Sequence, residues 1–276
     1  MGVQNSTANG LKRITLCADD FAQSPAISDG ILQLIDTGRI HATSVMTQSP
    51  HWPALASSLK STAATRADVG LHFNLTHPFT QPAQGLGSLL LKAQLRQLPR
   101  AALYDEYLRQ IDAFTQHYDA LPDHIDGHQH VHAFHGARDA LFQAIHARWP
   151  AGQLPYVRAP DQLLGVGAQW VEGRVVRWGA SGFYHRARAH RLCVAPHFAG
   201  LYDLQPDAGF AERLTQWISQ CPDQTLIMCH PGKAPATADN SDPIAPARSV
   251  EFAFLNSDAW LEQCTGAAVQ LKRLSI

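Results

Sequence analysis

The chain alternates between short apolar runs and longer segments whose apolar residues recur at helical spacing. A short apolar run between polar residues is typical of a buried strand, and apolar residues three or four positions apart are typical of an amphipathic helix. Arg13–Ala18 is a run of the first kind, and residues 101–118 form the clearest segment of the second kind. The other predicted strands are Ala42–Thr47, Val69–Leu75, His124–Gly127, Tyr156–Ala159 and Thr225–Cys229, and the other predicted helices are Ala137–Trp149, Ala211–Ile218 and one that begins at Pro25 and stops at Gly38.

Strands that alternate with helices predict a parallel sheet with helical crossovers. The 276 residues accommodate about seven such units, which favours an α/β barrel that is closed or nearly closed. A doubly wound open sheet is the alternative. In either architecture, functional groups are expected at the carboxyl ends of the strands.

The composition narrows the classes of function and the domain organisation. Hydrophobic residues make up 45% of the chain and charged residues 16%, a balance typical of a globular protein. The net charge of -1 provides no field that would attract a polyanion, so nucleic acid is not expected as a partner. No apolar run is long enough to predict a membrane span, and the first residues lack an apolar signal core. We expect a disordered tail over residues 1–10 and a single domain over 11–276.

Cysteine and histidine differ in what they predict. The five cysteines are scattered and form no CxxC pair, which argues against a disulfide framework and against a thiolate zinc site. This pattern suits a reducing compartment, and we predict a cytoplasmic location. Histidine is abundant, with 15 residues in the chain, and five of them lie between positions 124 and 135.

The histidine-rich run is the strongest chemical signal in the sequence. Its polar residues alternate with other residues, so an extended backbone would place all of them on one face. Burying unsatisfied polar groups costs roughly 1–3 kcal/mol each, which a metal or substrate site would offset. A solvated loop rich in histidine is the alternative. The polar residues of the run are His124, Asp126, His128, His130 and His132. Asp126 is a candidate to orient a ligating imidazole. His130 and His132 could already turn into the next helix, and we expect them to support the site or contact the substrate rather than bind the metal.

A pair of adjacent carboxylates, Asp19 and Asp20, follows the first predicted strand. In a regular strand they would point to opposite faces, but a turn of the backbone at the strand end could bring both into one cavity. A cation would offset their repulsion, with one carboxylate binding it and the other free to take a proton from water. An acidic turn, with Asp20 capping the next helix, is the alternative.

Three further residues complete the predicted chemistry. His72 lies in the otherwise apolar strand VGLHFNL, and with one Asp and one more His it would form the three-ligand set of a catalytic metal site. His230 ends a buried strand and could act as a general acid, a role that an ordinary pKa near neutrality would suit. Arg158 is the charged residue best placed in sequence to orient Asp19.

These residues lie in motifs that resemble the YdjC-like carbohydrate deacetylases, also called the ChbG/HpnK type. The motifs are ITLCADDFAQSPAISDGI, DVGLHFNLT, HIDGHQHVH, YVRAP and IMCHPG, with ARSVEFAFL as a weaker match. The resemblance implies a distorted (β/α) barrel with fewer than eight strands, related to the NodB-type polysaccharide deacetylases. It also implies one divalent metal ion per chain on Asp20, His72 and His128, with Asp19 as the base and His230 as the acid.

The implied activity is removal of the acetyl group from an N-acetylated amino sugar, either a chitooligosaccharide or an N-acetylglucosaminyl glycolipid. Trp52, Phe73 and Phe198 are candidates for stacking on the sugar faces, although core packing is the favoured interpretation of each. Zinc and magnesium both suit the implied ligand set, and the resemblance suggests a homodimer. Ala22 and Ser28 depart from the usual glycine and asparagine of the family, so a different turn after Asp20 is expected. A two-metal phosphoesterase or amidohydrolase and a non-catalytic metal- or sugar-binding protein remain the alternatives.

Overall fold

A single parallel sheet collects strands from both ends of the chain. The computed structural model describes residues 10–80, 82–165, 171–234 and 242–275. The predicted tail lies outside these residues except at Gly10. The strands are β1 (Lys12–Phe21), β2 (Ala42–Val45), β3 (Asp68–Phe73), β4 (His124–Gly127), β5 (Tyr156–Val157), β6 (Cys193–Val194), β7 (His197–Ala199), β8 (Thr225–Cys229) and β9 (Val269–Leu271).

Helices follow most of these strands and cover the outer surface of the sheet. They are α1 (Pro25–Asp36), α2 (Trp52–Ala63), α3 (Leu86–Gln94), α4 (Arg100–Tyr118), α5 (Ala137–Arg148), α6 (Val171–Gly179), α7 (Phe183–Ala189), α8 (Phe210–Gln220), α9 (Ala245–Leu255) and α10 (Asp258–Gly266). At α1, the Ser24 side chain accepts a hydrogen bond from the Ile27 N–H, and Pro25 occupies the first turn, which is how the sequence predicts this start. Within the described ranges, no helix is both long and apolar enough to cross a membrane.

The sheet curls into a nearly closed barrel. Its order is β6-β5-β4-β3-β2-β1-β8-β7, with β9 paired to β1, so β6 and β7 are the two ends of the order. Only residues 195 and 196 separate β6 from β7 along the chain. Since a residue spans at most about 3.6 Å, the two edges must lie close together. The predicted barrel is confirmed. The structure describes nine strands rather than fewer than eight, because several segments of only two or three residues also pair with the sheet.

The hydrophobic core consists of two clusters between the sheet and the surrounding helices and a smaller cluster inside the barrel. The outer face of β1, β2 and β8 packs on α1, α2 and α8–α10, and that of β3–β5 packs on α3–α5 and α7. The inner cluster fills the barrel beneath the carboxyl ends of the strands and includes Cys17, Tyr156 and Phe198. Gly70 lacks the Cβ that would otherwise collide with the buried His124 ring, so that ring can lie across β3.

Candidate active site

The end of β1 carries a bulge that turns two consecutive carboxylates into the same cavity. The register with β2 shifts between Ala18 and Phe21, and Asp20 has a positive φ of 68°. A bulge inserts an extra residue and re-aims the side chains around it. Asp19 and Asp20 therefore both line the cavity at the carboxyl ends of the strands, as the sequence analysis anticipated for a strand end.

The turn after the bulge has a left-handed backbone at an alanine, Ala22. Ala22 has a φ of 71°, a conformation that glycine adopts more readily. The Ala22 N–H donates to Ser28 Oγ at 3.0 Å, and Ser28 Oγ donates to the Ser24 carbonyl at 2.8 Å. Ser28 therefore stabilises this left-handed turn through two hydrogen bonds.

Asp20, His72 and His128 converge from three separate strands or strand ends. Asp20 Oδ1 lies 3.3 Å from His72 Nε2 and 3.2 Å from His128 Nδ1. The three ligand atoms all lie within 4.8 Å of one another. Donors at about 2.0–2.1 Å from one ion are separated by roughly 3–3.5 Å, so the spacing fits a shared cation.

A second group of side chains fixes the orientation of His72. Its Nδ1 lies 2.7 Å from Asp126 Oδ1 and 3.0 Å from Ser44 Oγ. If Nδ1–H donates to Asp126, the lone pair of Nε2 faces Asp20 and His128, which is the tautomer that binds a metal. Burial acts to lower the pKa of His72, but the carboxylates of Asp126 and Asp19 outweigh it and raise the pKa to about 10. The pocket therefore favours positive charge at this position.

The Arg158 guanidinium lies fully buried between two carboxylates beneath this set. Its Nη1 donates to Asp19 Oδ2 at 2.7 Å and its Nη2 donates to Asp19 Oδ1 at 2.6 Å. The same Nη2 lies 2.6 Å from Asp126 Oδ2. Such a bidentate pair fixes the plane of a carboxylate. Asp19 is thus held beside the three-residue set without belonging to it.

His230 faces Asp19 across the cavity, with its Nε2 4.0 Å from Asp19 Oδ2. Burial lowers the pKa of His230 to about 4, more than the nearby Asp19 and Asp20 can offset. The expectation of a pKa near neutrality is therefore wrong, because the imidazole is largely buried, with 12% of the side chain exposed. Its main-chain N–H donates to the buried carboxyl of Glu251 at 2.5 Å.

The histidine run does not continue as an extended strand. The strand ends at Gly127, and a short 3-10 segment, His128–Ala133, contains left-handed backbone at Gln129 and His130. The five polar residues therefore do not share one extended face, and His130 and His132 leave the strand, as the sequence analysis allowed. His132 Nε2 lies 2.9 Å from the Arg158 carbonyl, to which it donates, and His130 packs edge-on against Phe198.

The aromatic residues predicted to stack on sugars lie in the core. Trp52, Phe73 and Phe198 are all fully buried, so none presents a ring face to a substrate. Phe198 instead lies 5.5 Å from the Arg158 guanidinium carbon, a cation–π distance. Stacking on a sugar is therefore wrong for all three, and core packing, the favoured interpretation, is confirmed. Phe198 contacts Arg158 inside the barrel.

Two buried charged residues of α9 were not predicted from the sequence as parts of the site. Arg248 Nη2 donates to Asp20 Oδ2 at 2.7 Å, and Glu251 accepts hydrogen bonds from Tyr202 and His230. Both lie in ARSVEFAFL, a motif noted above without any assigned chemistry. Their spacing of three residues, which puts them on one helix face, was the available signal.

Comparison with known proteins identifies the family. A family model described as YdjC-like protein matches residues 13–265. The chain belongs to the YdjC-like family.

Relatives in this family carry deacetylase names. A chitooligosaccharide deacetylase of Serratia marcescens is 25% identical over 89% of this chain and 91% of its own length. A carbohydrate deacetylase of Enterococcus faecalis is 29% identical over 44% of this chain, and a human one is 26% identical over 58%. The alignments span about half the length of those two relatives, 50% and 52% respectively.

A solved structure from Enterococcus faecalis supports the fold. It belongs to a protein described as a candidate cellobiose-phosphate cleavage protein and superposes with a TM-score of 0.67 at 18% identity. The superposition covers 95% of this chain and 97% of that one. This likeness confirms the curled parallel α/β architecture over almost the whole chain.

Proposed function

We propose that this chain is a metal-dependent hydrolase that removes the acetyl group from an N-acetylated amino sugar. The observation that carries the proposal is the convergence of Asp20, His72 and His128 with an uncoordinated Asp19 beside them. A site that only binds has no need of a spare base. The deacetylase names of the relatives agree with this reaction class.

The proposed metal site fits its residues on the chemistry of the donors and on charge. One carboxylate oxygen and two imidazole nitrogens form a set that suits zinc, and magnesium is compatible with added waters. Carboxylates outnumber guanidiniums in the site, which leaves negative charge for a cation to balance. The charged groups are Asp19, Asp20, Asp126 and Asp242 on one side and Arg158 and Arg248 on the other.

When bound, the metal supplies a Lewis acid for the acetamide carbonyl and lowers the pKa of a water molecule. Asp19 then removes a proton from the attacking water, held in position by the Arg158 fork. His230 returns a proton to the leaving nitrogen. Because burial keeps His230 neutral at first, it must receive that proton during the reaction, and the facing Asp19 is the group that has gained one. Acetate and an amino sugar are the products.

The position of Arg158 argues against the two-metal alternative. Asp19, His72 and Asp126 also form a cluster that could hold an ion, as do Cys17, His124 and Asp126. The Arg158 guanidinium lies 2.6 Å from both Asp19 and Asp126 and 3.4 Å from Cys17, so a fixed positive charge already occupies this region. We therefore propose one ion per chain.

The test combines metal stoichiometry with acetate release from N-acetylated sugars, including chitooligosaccharides and a glycolipid. The wild-type protein is expected to bind one ion and to release acetate from at least one of them. Asp19→Asn should keep the ion and lose about 10²–10⁴-fold in turnover, the usual contribution of a general base. Asp223→Asn is the matched control, because Asp223 also pairs with an arginine fork but does so at the opposite end of β1.

Two ions per chain, or undiminished turnover in Asp19→Asn, would contradict the proposal. The choice among sugars and between zinc and magnesium is read from the same panel. The homodimer and the cytoplasmic location remain predictions of the sequence analysis.

A further inference from the structure

Arg248 is a buried arginine that reaches the proposed metal site from α9. Its side chain is 3% exposed. Nη2 donates to Asp20 Oδ2 at 2.7 Å and to Gln23 Oε1 at 3.2 Å, while Nε donates to Asp242 Oδ2 at 2.7 Å. Its main-chain carbonyl accepts the Gly232 N–H at 3.1 Å, which ties α9 to the loop that follows β8. Arg248 is thus fixed at its backbone and along its guanidinium.

The two oxygens of Asp20 have different neighbours. Oδ1 faces the imidazoles of His72 and His128, and Oδ2 faces Arg248. A carboxylate with one oxygen committed to a guanidinium presents only the other oxygen to an ion. Asp20 also has a left-handed backbone, so its side-chain direction depends on restraints from outside its own strand.

We propose that Arg248 is a positioning residue that holds Asp20 as a single-oxygen ligand of the metal. This inference rests on the proposed function, because it takes Asp20 as a metal ligand. Arg248 acts through Asp20, and the planar fork of its guanidinium is essential, because one arm must reach Asp20 while another stays on Asp242. A lysine ammonium at the same place would keep the charge but could not keep both contacts.

The positive charge of Arg248, taken alone, would weaken metal binding rather than support it. A fixed positive charge close to a cation site weakens cation binding by Coulomb repulsion. If the field of Arg248 were all that mattered, a charge-conserving substitution would leave metal affinity unchanged. If orientation matters, the same substitution must weaken metal binding, since outer partners of metal ligands typically contribute 10–100-fold in affinity.

The experiment is a Zn²⁺ titration of the metal-free protein against a competing chelator. Arg248→Lys is expected to lower Zn²⁺ affinity by about 10–100-fold in protein whose circular dichroism shows that it is folded. Arg273→Lys is the matched control, because Arg273 donates through Nε to the buried Asp68 at 2.7 Å, far from the site at the other end of the barrel. It should bind Zn²⁺ as the wild type does.

A second variant covers the case in which Arg248→Lys does not fold. Gln23→Ala removes one acceptor of the guanidinium without changing any charge, and a smaller loss of affinity, above about threefold, is expected. Wild-type affinity in the folded Arg248→Lys protein would overturn the inference, as would wild-type affinity in Gln23→Ala if Arg248→Lys cannot be studied.

Zinc binding is measured without turnover, so the positioning role of Arg248 and the deacetylase activity can be refuted independently. Weakened binding in Arg248→Lys together with no acetate release from wild type would support the positioning role and contradict the deacetylase. A wild-type protein that binds no Zn²⁺ would overturn the inference.

Discussion

The carboxyl of Glu251 should make the stability of this protein fall as the pH rises from about 5 to 8. It is fully buried, and burial raises its pKa from 4.5 to about 7, although hydrogen bonds from Tyr202 and His230 act in the other direction. The folded chain therefore holds this proton at pH values where the unfolded chain has released it. The stabilisation is complete below pH 4.5 and is lost as the pH passes through 7.

The magnitude follows from the two pKa values. A tenfold difference in proton affinity corresponds to about 1.4 kcal/mol, so the difference between 4.5 and about 7 corresponds to roughly 3 kcal/mol. Glu251→Gln removes the ionisation while keeping an acceptor for the His230 N–H and an amide group for the Tyr202 oxygen. Its stability relative to the wild type should therefore rise by roughly 3 kcal/mol between pH 4.5 and pH 8.

The assay is urea unfolding of both proteins in the presence of a chelator, at several pH values across that window. Taking the difference between variant and wild type cancels the titration of groups that the substitution does not touch. The exposed Glu262, changed to Gln, is the control and should shift stability by less than about 0.5 kcal/mol at every pH. A flat difference for Glu251→Gln, or one that falls with pH, would refute the reasoning.

Four further outcomes are expected. Arg158→Met leaves the buried Asp19 and Asp126 without their guanidinium and should lower the free energy of unfolding by about 3–5 kcal/mol in urea titrations; full stability would show that the carboxylates are neutral. Trp52→Ala empties a fully buried site that packs on α4 and should lower the free energy of unfolding by about 3–5 kcal/mol. The KM of the folded variant should be unchanged, and a raised KM would show that Trp52 contributes to sugar binding. Asp68→Ala removes the acceptor for the Leu274 N–H and should make the chain around Leu274 more sensitive to limited proteolysis, whereas equal resistance in both proteins would count against that contact. Removing the metal with a chelator should stop acetate release, and adding a divalent ion back should restore it.

The helices and strands that could be predicted from the sequence are those long enough to show a regular spacing or a clear run of apolar residues. Residues 101–118 were predicted as a helix and lie within α4, and Thr225–Cys229 was predicted as a strand and forms β8. Strands β6, β7 and β9 have two or three residues, too few for any alternation to show. Their pairing depends on neighbours far along the chain, which a local pattern does not contain.

The candidate site was predictable where its residues stand at strand ends in unusual combinations. Asp19, Asp20 and His72 were found because charged or imidazole groups next to apolar strands need a partner. The path of the chain after Gly127 was left open, since the same alternating pattern fits an extended strand and a tight 3-10 turn. Arg248 was missed because a charged residue on a helix resembles a solvated surface, and its burial depends on Asp20, more than two hundred residues away.

The bulge in β1 couples the proposed base to the proposed metal through a single peptide unit. The Cα atoms of Asp19 and Asp20 are joined by one planar link of about 3.8 Å, whereas His72 and His128 arrive on separate segments. A displacement between strands would therefore move His72 and His128 relative to Asp20, whereas Asp19 would stay next to Asp20. Catalytic alignment in such a layout would tolerate motion among the strands while remaining intolerant of any insertion or deletion at the end of β1.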